Sequence, residues 1–260
     1  MQKLPTLFLS HGSPMHAINA GKAGEVWAAL AKQLPRPAAV LVVTAHWESN
    51  LPMLSGNAKP SMIYDFGGFP DALYKIVYPA PGAPDVAARA QALLKSAGFT
   101  AGIDGCRGLD HGTWVPLLKM YPDADVPVVQ LSVQPAMNPR HHHDVGRALA
   151  PLREEGVLIV GSGHLTHNLR DWMNSRGQSA HAPYAQAFQS WVFDHLAAHD
   201  LDALTRYRQE APDAVRAHPT EEHFMPLFVA LGAAGEAAEP VRMFDGFEGS
   251  ALAMDAYRFN

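Results

Sequence analysis

The sequence predicts an α/β fold in which a central, mostly parallel sheet is flanked by helices. Three apolar runs carry this prediction, Leu4–Ser10, Ala38–Ala45 and Val157–Ser162. Runs of Val, Leu and Ile without polar alternation are typical of parallel strands buried on both faces. Helical patterns separate the runs, which favours one layered structure. The 260 residues show no repeat and no linker-like segment, so we expect residues 1–260 to form a single domain.

In the first half of the chain, the apolar runs and the turn residues between them set the element boundaries. A helix is expected to end before Leu34–Pro37, and another is expected to begin near Pro84 and to end at Gly98. Two long, aromatic-rich loops, Asn50–Pro84 and Gly105–Trp114, are unusual in a compact domain and suggest binding loops. The predicted elements are strand Thr6–Ser10, helix Gly24–Gln33, strand Ala38–Ala45, helix Asp85–Gly98, helix Val115–Tyr121 and strand Val126–Val133.

In the second half, helix caps give the clearest signals. Gly156 is expected to end one helix, and Thr220, followed by Glu221 and Glu222, is expected to cap the start of another. The predicted elements are helix His141–Glu155, strand Val157–Gly161, helices Pro183–His199, Leu201–Gln209 and Thr220–Ala233, and strands Val241–Phe244 and Ser250–Tyr257.

Composition excludes several classes of protein. The net charge is −5 with neutral histidine and no basic tract is present, which argues against a nucleic-acid-binding protein. Cys106 is the only cysteine, so no intrachain disulfide can form and a metal would be held by nitrogen and oxygen. The sequence contains neither a signal-peptide pattern nor a membrane-length apolar stretch, and we expect a cytoplasmic protein.

Histidines follow the ends of the predicted strands. His11 and His46 each come directly after an apolar run, and His164 and His167 follow the third run. The carboxyl ends of parallel strands line the ligand crevice of an open α/β sheet. Because neutral imidazole is the commonest metal ligand, this pattern indicates a histidine-rich metal site. The alternative is that these histidines only form hydrogen bonds at the strand ends.

The remaining histidines are less informative on pattern alone. His111 is as consistent with a surface loop as with acid–base chemistry or substrate contact. Of His164 and His167, one is expected to enter the site and the other to pack, and we favour His167 for the site. His223 reads as a helix-surface histidine, and the run His141–His143 reads as a solvated helix face. The sequence contains no Walker A motif, no G-x-G-x-x-G after a strand, no nucleophile elbow and no H-E-x-x-H.

Eight motifs occur in order along almost the whole chain. They are LFLSHGSP (Leu7–Pro14), VVTAHW (Val42–Trp47), YDFGGFP (Tyr64–Pro70), YPAPG (Tyr78–Gly82), GLDHGTW (Gly108–Trp114), MYPDADVPVVQLS (Met120–Ser132), HNLR (His167–Arg170) and EEHFMPL (Glu221–Leu227). Together they resemble the DODA-type branch of the class III extradiol ring-cleavage dioxygenases.

The resemblance implies roles for five histidines. His11, His46 and His223 fall on metal-ligand positions, for Fe(II) in an oxygenase or for Zn(II). His167 falls on a histidine at the metal that is either a fourth ligand or the acid–base, and His111 on a histidine that faces the substrate. The founding subunit of the family has a glutamate where this chain has His223, so the implied donor set is all histidine, which fits zinc as readily as iron.

The function implied by the resemblance is a metal-dependent extradiol dioxygenase that opens the ring of a catechol such as DOPA with O2. The alternatives are a zinc-dependent hydrolase on the same scaffold and a non-catalytic metal-binding protein. His111 and His167 favour an enzyme, because a structural metal site does not need them. Partners are a small catechol and O2, with no nucleic acid and no membrane, and the sequence does not specify an oligomer. Candidates for the walls of a ring-binding slot are Trp47, Phe66, Phe69 and Trp114.

Overall fold

The computed structural model describes residues 3–175 and 180–260 and confirms the predicted α/β class. The strands are β1 Thr6–Ser10, β2 Ala39–Glu48, β3 Met53–Ser55, β4 Gly102–Asp104, β5 Val128–Val133, β6 Val157–Gly163, β7 Pro240–Phe244, β8 Phe247–Glu248, β9 Leu252–Ala253 and β10 Ala256–Phe259. The α-helices are α1 Gly21–Gln33, α2 Pro84–Ser96, α3 His111–Met120, α4 Pro139–Leu149, α5 Leu169–Asn174, α6 Pro183–Ala197, α7 Leu201–Thr205, α8 Tyr207–Glu210, α9 Ala214–Ala217 and α10 Met225–Ala234.

Eight of these strands form one sheet in the order β4-β3-β5-β2-β6-β1-β10-β7. The central strands β5, β2, β6 and β1 are all parallel to one another. Antiparallel pairs occur where β3 joins β5 and where β10 joins β1 and β7. The parallel strands therefore form the middle of a mixed sheet.

The central strands are apolar on both faces because each face is covered by helices. In β1, Phe8 packs into the core that includes residues of α4, α6 and α10, whereas Leu7 and Leu9 pack into the core that includes residues of α1 and α3. All five residues of β1 are buried. This two-sided burial explains why the strand shows no polar alternation.

The four parallel strands end at the same edge of the sheet. His11 follows β1, His46 lies near the end of β2, and His164 follows β6. The predicted second strand is therefore three residues too short at its end, because β2 continues through His46 to Glu48. The pairing of β2 with β5 shifts register between Thr44 and Glu48, and this irregularity includes His46.

Helices α4 and α10 are packed so closely that glycine is required at their contact. A Cβ atom on Gly232 would lie 1.9 Å from the carbonyl oxygen of His143, and one on Gly146 would lie 2.1 Å from that of Val229. Both neighbours are helix backbone, which cannot move without separating the two helices.

We expect the substitution Gly232→Ala to lower the free energy of unfolding by about 2–3 kcal/mol, as for overpacked cores. Alanine in a helix normally gains up to about 1 kcal/mol over glycine, so a net loss would show that packing outweighs propensity. Denaturant unfolding measures the effect. Gly105→Ala is the control, because nothing lies within 4 Å of the added Cβ there. Equal stability of the Gly232→Ala variant and the unchanged protein would contradict the packing argument.

Two predicted helix starts are wrong, and both errors involve histidines. Helix α3 begins at His111 rather than Val115, because the side chain of Asp110 caps it by accepting from the N–H of Thr113. Helix α10 begins at Met225 rather than Thr220. Pro226 lies in its first turn, a position where proline is favoured, and this signal outweighs the expected cap.

Other differences are local. The predicted strand Ser250–Tyr257 is two strands, because β9 pairs with β8 in a separate ribbon and β10 joins the main sheet. The predicted helix Leu201–Gln209 is divided into α7 and α8 at Arg206. Short elements that the sequence analysis did not predict are β3, β4, β8, α5 and α9. Within the described parts of the chain, no helix combines the length and apolarity needed to cross a lipid bilayer.

Candidate metal centre

Three histidines from distant parts of the chain converge at the carboxyl edge of the sheet. The Nε2 atoms of His11 and His46 are 3.0 Å apart, and those of His46 and His223 are 3.3 Å apart. One ligand atom from each of the three rings lies within 4.8 Å of the other two. His223 reaches this position from the turn before α10, where it is buried.

The opposite nitrogen of each ring is held by an oxygen atom. Nδ1 of His11 lies 3.0 Å from Oγ of Ser162. Nδ1 of His46 lies 3.3 Å from a carboxylate oxygen of Asp65, and Nδ1 of His223 lies 2.8 Å from one of Glu222. The hydroxyl of Ser162 donates to the carbonyl of Gly112, so its oxygen is left to accept from His11. The hydrogen bonds place the proton of the neutral His11 and His223 rings on Nδ1, and the negative charge of Asp65 favours the same tautomer in His46.

This choice of tautomer leaves three bare Nε2 lone pairs facing one another. No hydrogen bond can join two such nitrogens, so Nε2 atoms 3.0 and 3.3 Å apart form a donor set that could hold a cation between them. A metal–nitrogen distance of about 2.1 Å and an angle of roughly 90–110° separate two ligand nitrogens by roughly 3.0–3.4 Å. The residues therefore fit one divalent metal ion, and the outer oxygens orient its ligands.

Burial keeps these imidazoles neutral, which is the form that binds metal. Desolvation and then the neighbouring histidines lower the pKa values of His11 and His223 well below the ordinary value. Desolvation, followed by the charge of His111, lowers the pKa of His46 to about 3. In each case the charged form is disfavoured because the ring is removed from water beside other imidazoles.

His164 and His167 lie in different surroundings. The Nε2 atom of His164 accepts from the backbone N–H of Gly12 at 3.0 Å, so this buried ring supports the turn after His11. The ring of His167 stacks on that of His223, with centroids 3.5 Å apart and an interplanar angle of 13°. A ligand atom of His167 groups with Glu222 and His223, in a cluster separate from His11 and His46. Both rings therefore border the metal centre: His167 stacks on His223, and the ring centroid of His164 is 5.2 Å from that of His11.

His111 lies beside the metal centre in the first turn of α3. Its ring centroid is 4.0 Å from that of His46 and 5.4 Å from that of His11. Its Nδ1 lies 2.8 Å from Oδ1 of Asp65. Burial opposes ionisation of Asp65, but the contacts with His111 and His46 outweigh it and lower the pKa of the carboxyl to about 2. A negative charge is therefore held between the two histidines.

The aromatic candidates occupy different positions. Phe66 lies edge-on to His111, with centroids 5.7 Å apart, and also contacts Phe69 and Trp114. Trp114 is fully buried in the core, and Trp47 lies under the guanidinium of Arg107. Phe66 is thus the aromatic candidate in contact with a histidine of the site.

Sequence reasoning missed the oxygen atoms that orient the ligands. The sequence pattern assigns no role to Asp65 or Ser162, and it places Glu222 only at the start of a helix. Two sequence features could have indicated these acceptors: Asp65 lies in an aromatic-rich loop, and Glu222 is next to His223. The prediction of a solvated face at His141–His143 is wrong for its last two members, because His142 and His143 are 1% and 6% exposed. His142 is held by Gln134 and Asn138.

Comparisons with known proteins find relatives that match almost the whole chain. Residues 5–253 match the family model described as the catalytic LigB subunit of aromatic ring-opening dioxygenase. The chain is 43% identical over 262 residues to a 4,5-DOPA dioxygenase extradiol from Beta vulgaris, covering 98% of this chain and 96% of the relative. It is 40% identical to a protein of the same description from Escherichia coli K12, covering 97% and 93% of the two chains. A crystal structure of an uncharacterized protein from Escherichia coli K12 superposes with a TM-score of 0.85 at 34% identity, covering 99% of this chain and 100% of that one.

Proposed function

This chain belongs to the family of the catalytic LigB subunit of aromatic ring-opening dioxygenases and is an extradiol ring-cleavage dioxygenase, and we propose that it opens a DOPA-like catechol with Fe(II). The match confirms the family resemblance of the sequence motifs. Two of the relatives are described as 4,5-DOPA dioxygenases, which supports a catechol that carries an amino-acid side chain. We further propose that residues 1–260 act as one catalytic domain, since the family match spans residues 5–253.

We propose that His11, His46 and His223 hold the metal ion. The observation that carries this proposal is the convergence of three bare Nε2 atoms, each fixed by an oxygen acceptor on the far side of its ring. Fe(II), when bound, would bring the catechol and O2 together and exchange electrons with them, which Zn(II) cannot do because it has no accessible redox change. An all-imidazole donor set suits either ion, so the reaction rather than the ligands favours iron.

We propose that His167 is the acid–base rather than a fourth ligand. Its ring plane is nearly parallel to that of His223 and about one stacking distance away. An imidazole lone pair lies in the plane of its ring, so the stacked rings of His223 and His167 would not direct their lone pairs at the same ion. His167 is therefore free to accept a proton from a catechol hydroxyl and to return it to the ring-opened product.

We propose that His111 contacts the substrate. Because Asp65 accepts from its Nδ1, the Nε2 atom of His111 is left as a hydrogen-bond acceptor for a catechol hydroxyl. Phe66, edge-on to His111, is placed to border the aromatic ring of the substrate. The apolar edge excludes water from the catechol, and the histidines supply its polar contacts.

Oxygen consumption by metal-loaded protein tests the proposed function. Metal-free protein is loaded anaerobically with Fe(II) or with Zn(II) and mixed with DOPA and other catechols in an oxygen electrode. We expect the Fe(II) protein to consume one O2 for each catechol opened and to form a yellow product. The Zn(II) protein should consume none.

Two controls accompany this experiment. Metal-free protein reports the background, and a 1,3-dihydroxybenzene tests the requirement for adjacent hydroxyls. Equal oxygen uptake with zinc, or no uptake by the Fe(II) protein with any catechol, would contradict the proposal.

A further inference from the structure

Asp65 contacts two histidines of the metal centre at the same time. Its Oδ1 atom accepts from the backbone N–H of His111 at 3.0 Å and lies 2.8 Å from Nδ1 of the same residue. Its Oδ2 atom lies 3.3 Å from Nδ1 of His46. The side chain of Asp65 is 22% exposed. It lies in the aromatic-rich loop Asn50–Pro84, called the aromatic loop below, and both of its partners lie outside this loop. One carboxylate thus contacts both the ring of His46 in the metal centre and the ring of His111 beside it.

These contacts determine which nitrogen of each ring carries the proton. An ionised carboxylate can only accept hydrogen bonds, so His111 must present Nδ1–H to it. The contact with Nδ1 of His46 is an ion-pair distance of 3.3 Å, and the negative charge beside this nitrogen favours a proton on it. His46 then directs a bare Nε2 atom toward His11 and His223. The backbone N–H of His111 also donates to Asp65, and this contact fixes the residue at the start of α3.

The same three side chains also form a group that could hold a cation. Hydrogen bonding explains their geometry better, because Oδ1 of Asp65 also accepts from a backbone N–H, which a metal ion cannot replace. The two contacts of this oxygen, at 2.8 and 3.0 Å, have ordinary hydrogen-bond lengths.

We propose that Asp65 is a positioning residue that fixes the tautomer and orientation of both His46 and His111, so that the aromatic loop controls the geometry of the metal centre. This inference rests on the proposed function for its effect on turnover, but its effect on metal binding can be measured without turnover. Outer partners of this kind change metal affinity or activity by about 10–100-fold.

The test compares Asp65→Asn with Asp65→Glu. The amide is nearly the same size as the carboxylate but carries no charge. It presents an N–H₂ group to one of the two rings, so Nδ1–H of that ring no longer faces an oxygen atom. Co(II) is used as the probe, and its affinity and visible absorption spectrum report the ligand geometry. We expect Asp65→Asn to weaken Co(II) binding by about 10–100-fold and to change the spectrum. Asp65→Glu, which retains the carboxylate, should recover part of both.

The control is Asp71→Asn, the same chemical change in the same loop at an exposed position. It should leave Co(II) affinity and spectrum unchanged. With saturating Fe(II), Asp65→Asn should lower kcat about 10-fold or more, because His111 is also released.

Unchanged Co(II) affinity and spectrum in Asp65→Asn would overturn the proposal. Binding of two Co(II) ions by the unsubstituted chain and of only one by Asp65→Asn would also overturn it, since Asp65 would then be a ligand. If the Asn variant does not fold, the Glu variant decides by the same readout. Absence of oxygen uptake by the unsubstituted Fe(II) protein would refute the proposed function and leave the Co(II) result for Asp65 intact.

Discussion

Replacing His223 with alanine should abolish both metal retention and ring cleavage. The substitution removes one of three bare Nε2 atoms that converge at the site and leaves two of the proposed ligands on the sheet edge. Loss of an outer partner of a metal ligand costs about 10–100-fold in affinity or activity, so loss of the ligand itself should exceed about 100-fold. Metal content after dialysis and oxygen uptake with a catechol measure the two effects.

His195→Ala is a matched control for this experiment. The Nδ1 atom of His195 also faces a carboxylate oxygen, at 3.1 Å from Asp200, but its ring lies on α6 outside the metal centre. This variant should retain the metal and the activity. Metal retention by His223→Ala equal to that of His195→Ala would rule out His223 as a ligand.

His223→Glu separates loss of a ligand from loss of the side chain. A carboxylate at this position would restore the two-histidine, one-carboxylate donor set that suits Fe(II). We expect this variant to retain more metal than His223→Ala. Equal metal loss in the two variants would indicate that residue 223 supports the fold of the site and does not bind the ion.

The sheet was predictable from the sequence because its central strands carry their own signal. Residues buried on both faces must be apolar throughout, so β1, β2 and β6 stand out as continuous runs. The histidines at or just after the ends of two of these strands were predictable for the same reason, since parallel strands bring their carboxyl ends to one edge. The geometry of a parallel sheet alone predicts that His11 and His46 lie at the same edge.

His223 could not be predicted from local pattern because a distant contact buries it. Thr220 and two glutamates resemble the start of a helix, which would put His223 on a solvated surface. In the structure the helix begins later, and the turn before it lies against Gly163 of β6. A Cβ atom on that glycine would lie 2.1 Å from the carbonyl oxygen of His223. The N–H of His164 donates to the same carbonyl at 2.8 Å. Only the resemblance to a family identified His223 as a candidate ligand.

The oxygen acceptors behind the ligands were not predictable for a related reason. Asp65 and His111 are separated by 46 positions, and Ser162 and His11 by 151. Their pairing depends on how the loop and β6 pack against the edge of the sheet. Sequence patterns identify residues that bind metal more readily than residues that orient them, because carboxylates and hydroxyls are common in loops.

The role of His167 leads to the second large effect. His167→Ala should reduce ring cleavage by about 10²–10⁴-fold, the usual contribution of a positioned acid–base, while the metal stays bound. We expect the metal to be retained because the ring of His167 stacks parallel to that of His223, so the two rings would not direct their lone pairs at the same ion. Steady-state oxygen uptake and metal content of the same preparation measure the two quantities.

His167→Phe completes the argument, because it keeps an aromatic ring against His223 and removes every ring nitrogen. If His167 transfers protons, both variants lose turnover and both keep the metal. If it is a fourth ligand, both lose metal affinity. If it only supports His223 by stacking, the Phe variant retains activity that the Ala variant lacks. His181→Ala, which removes a histidine stacked on Phe247 at 4.2 Å, is the control and should leave both quantities unchanged. Intact ring cleavage in His167→Ala would contradict the acid–base role.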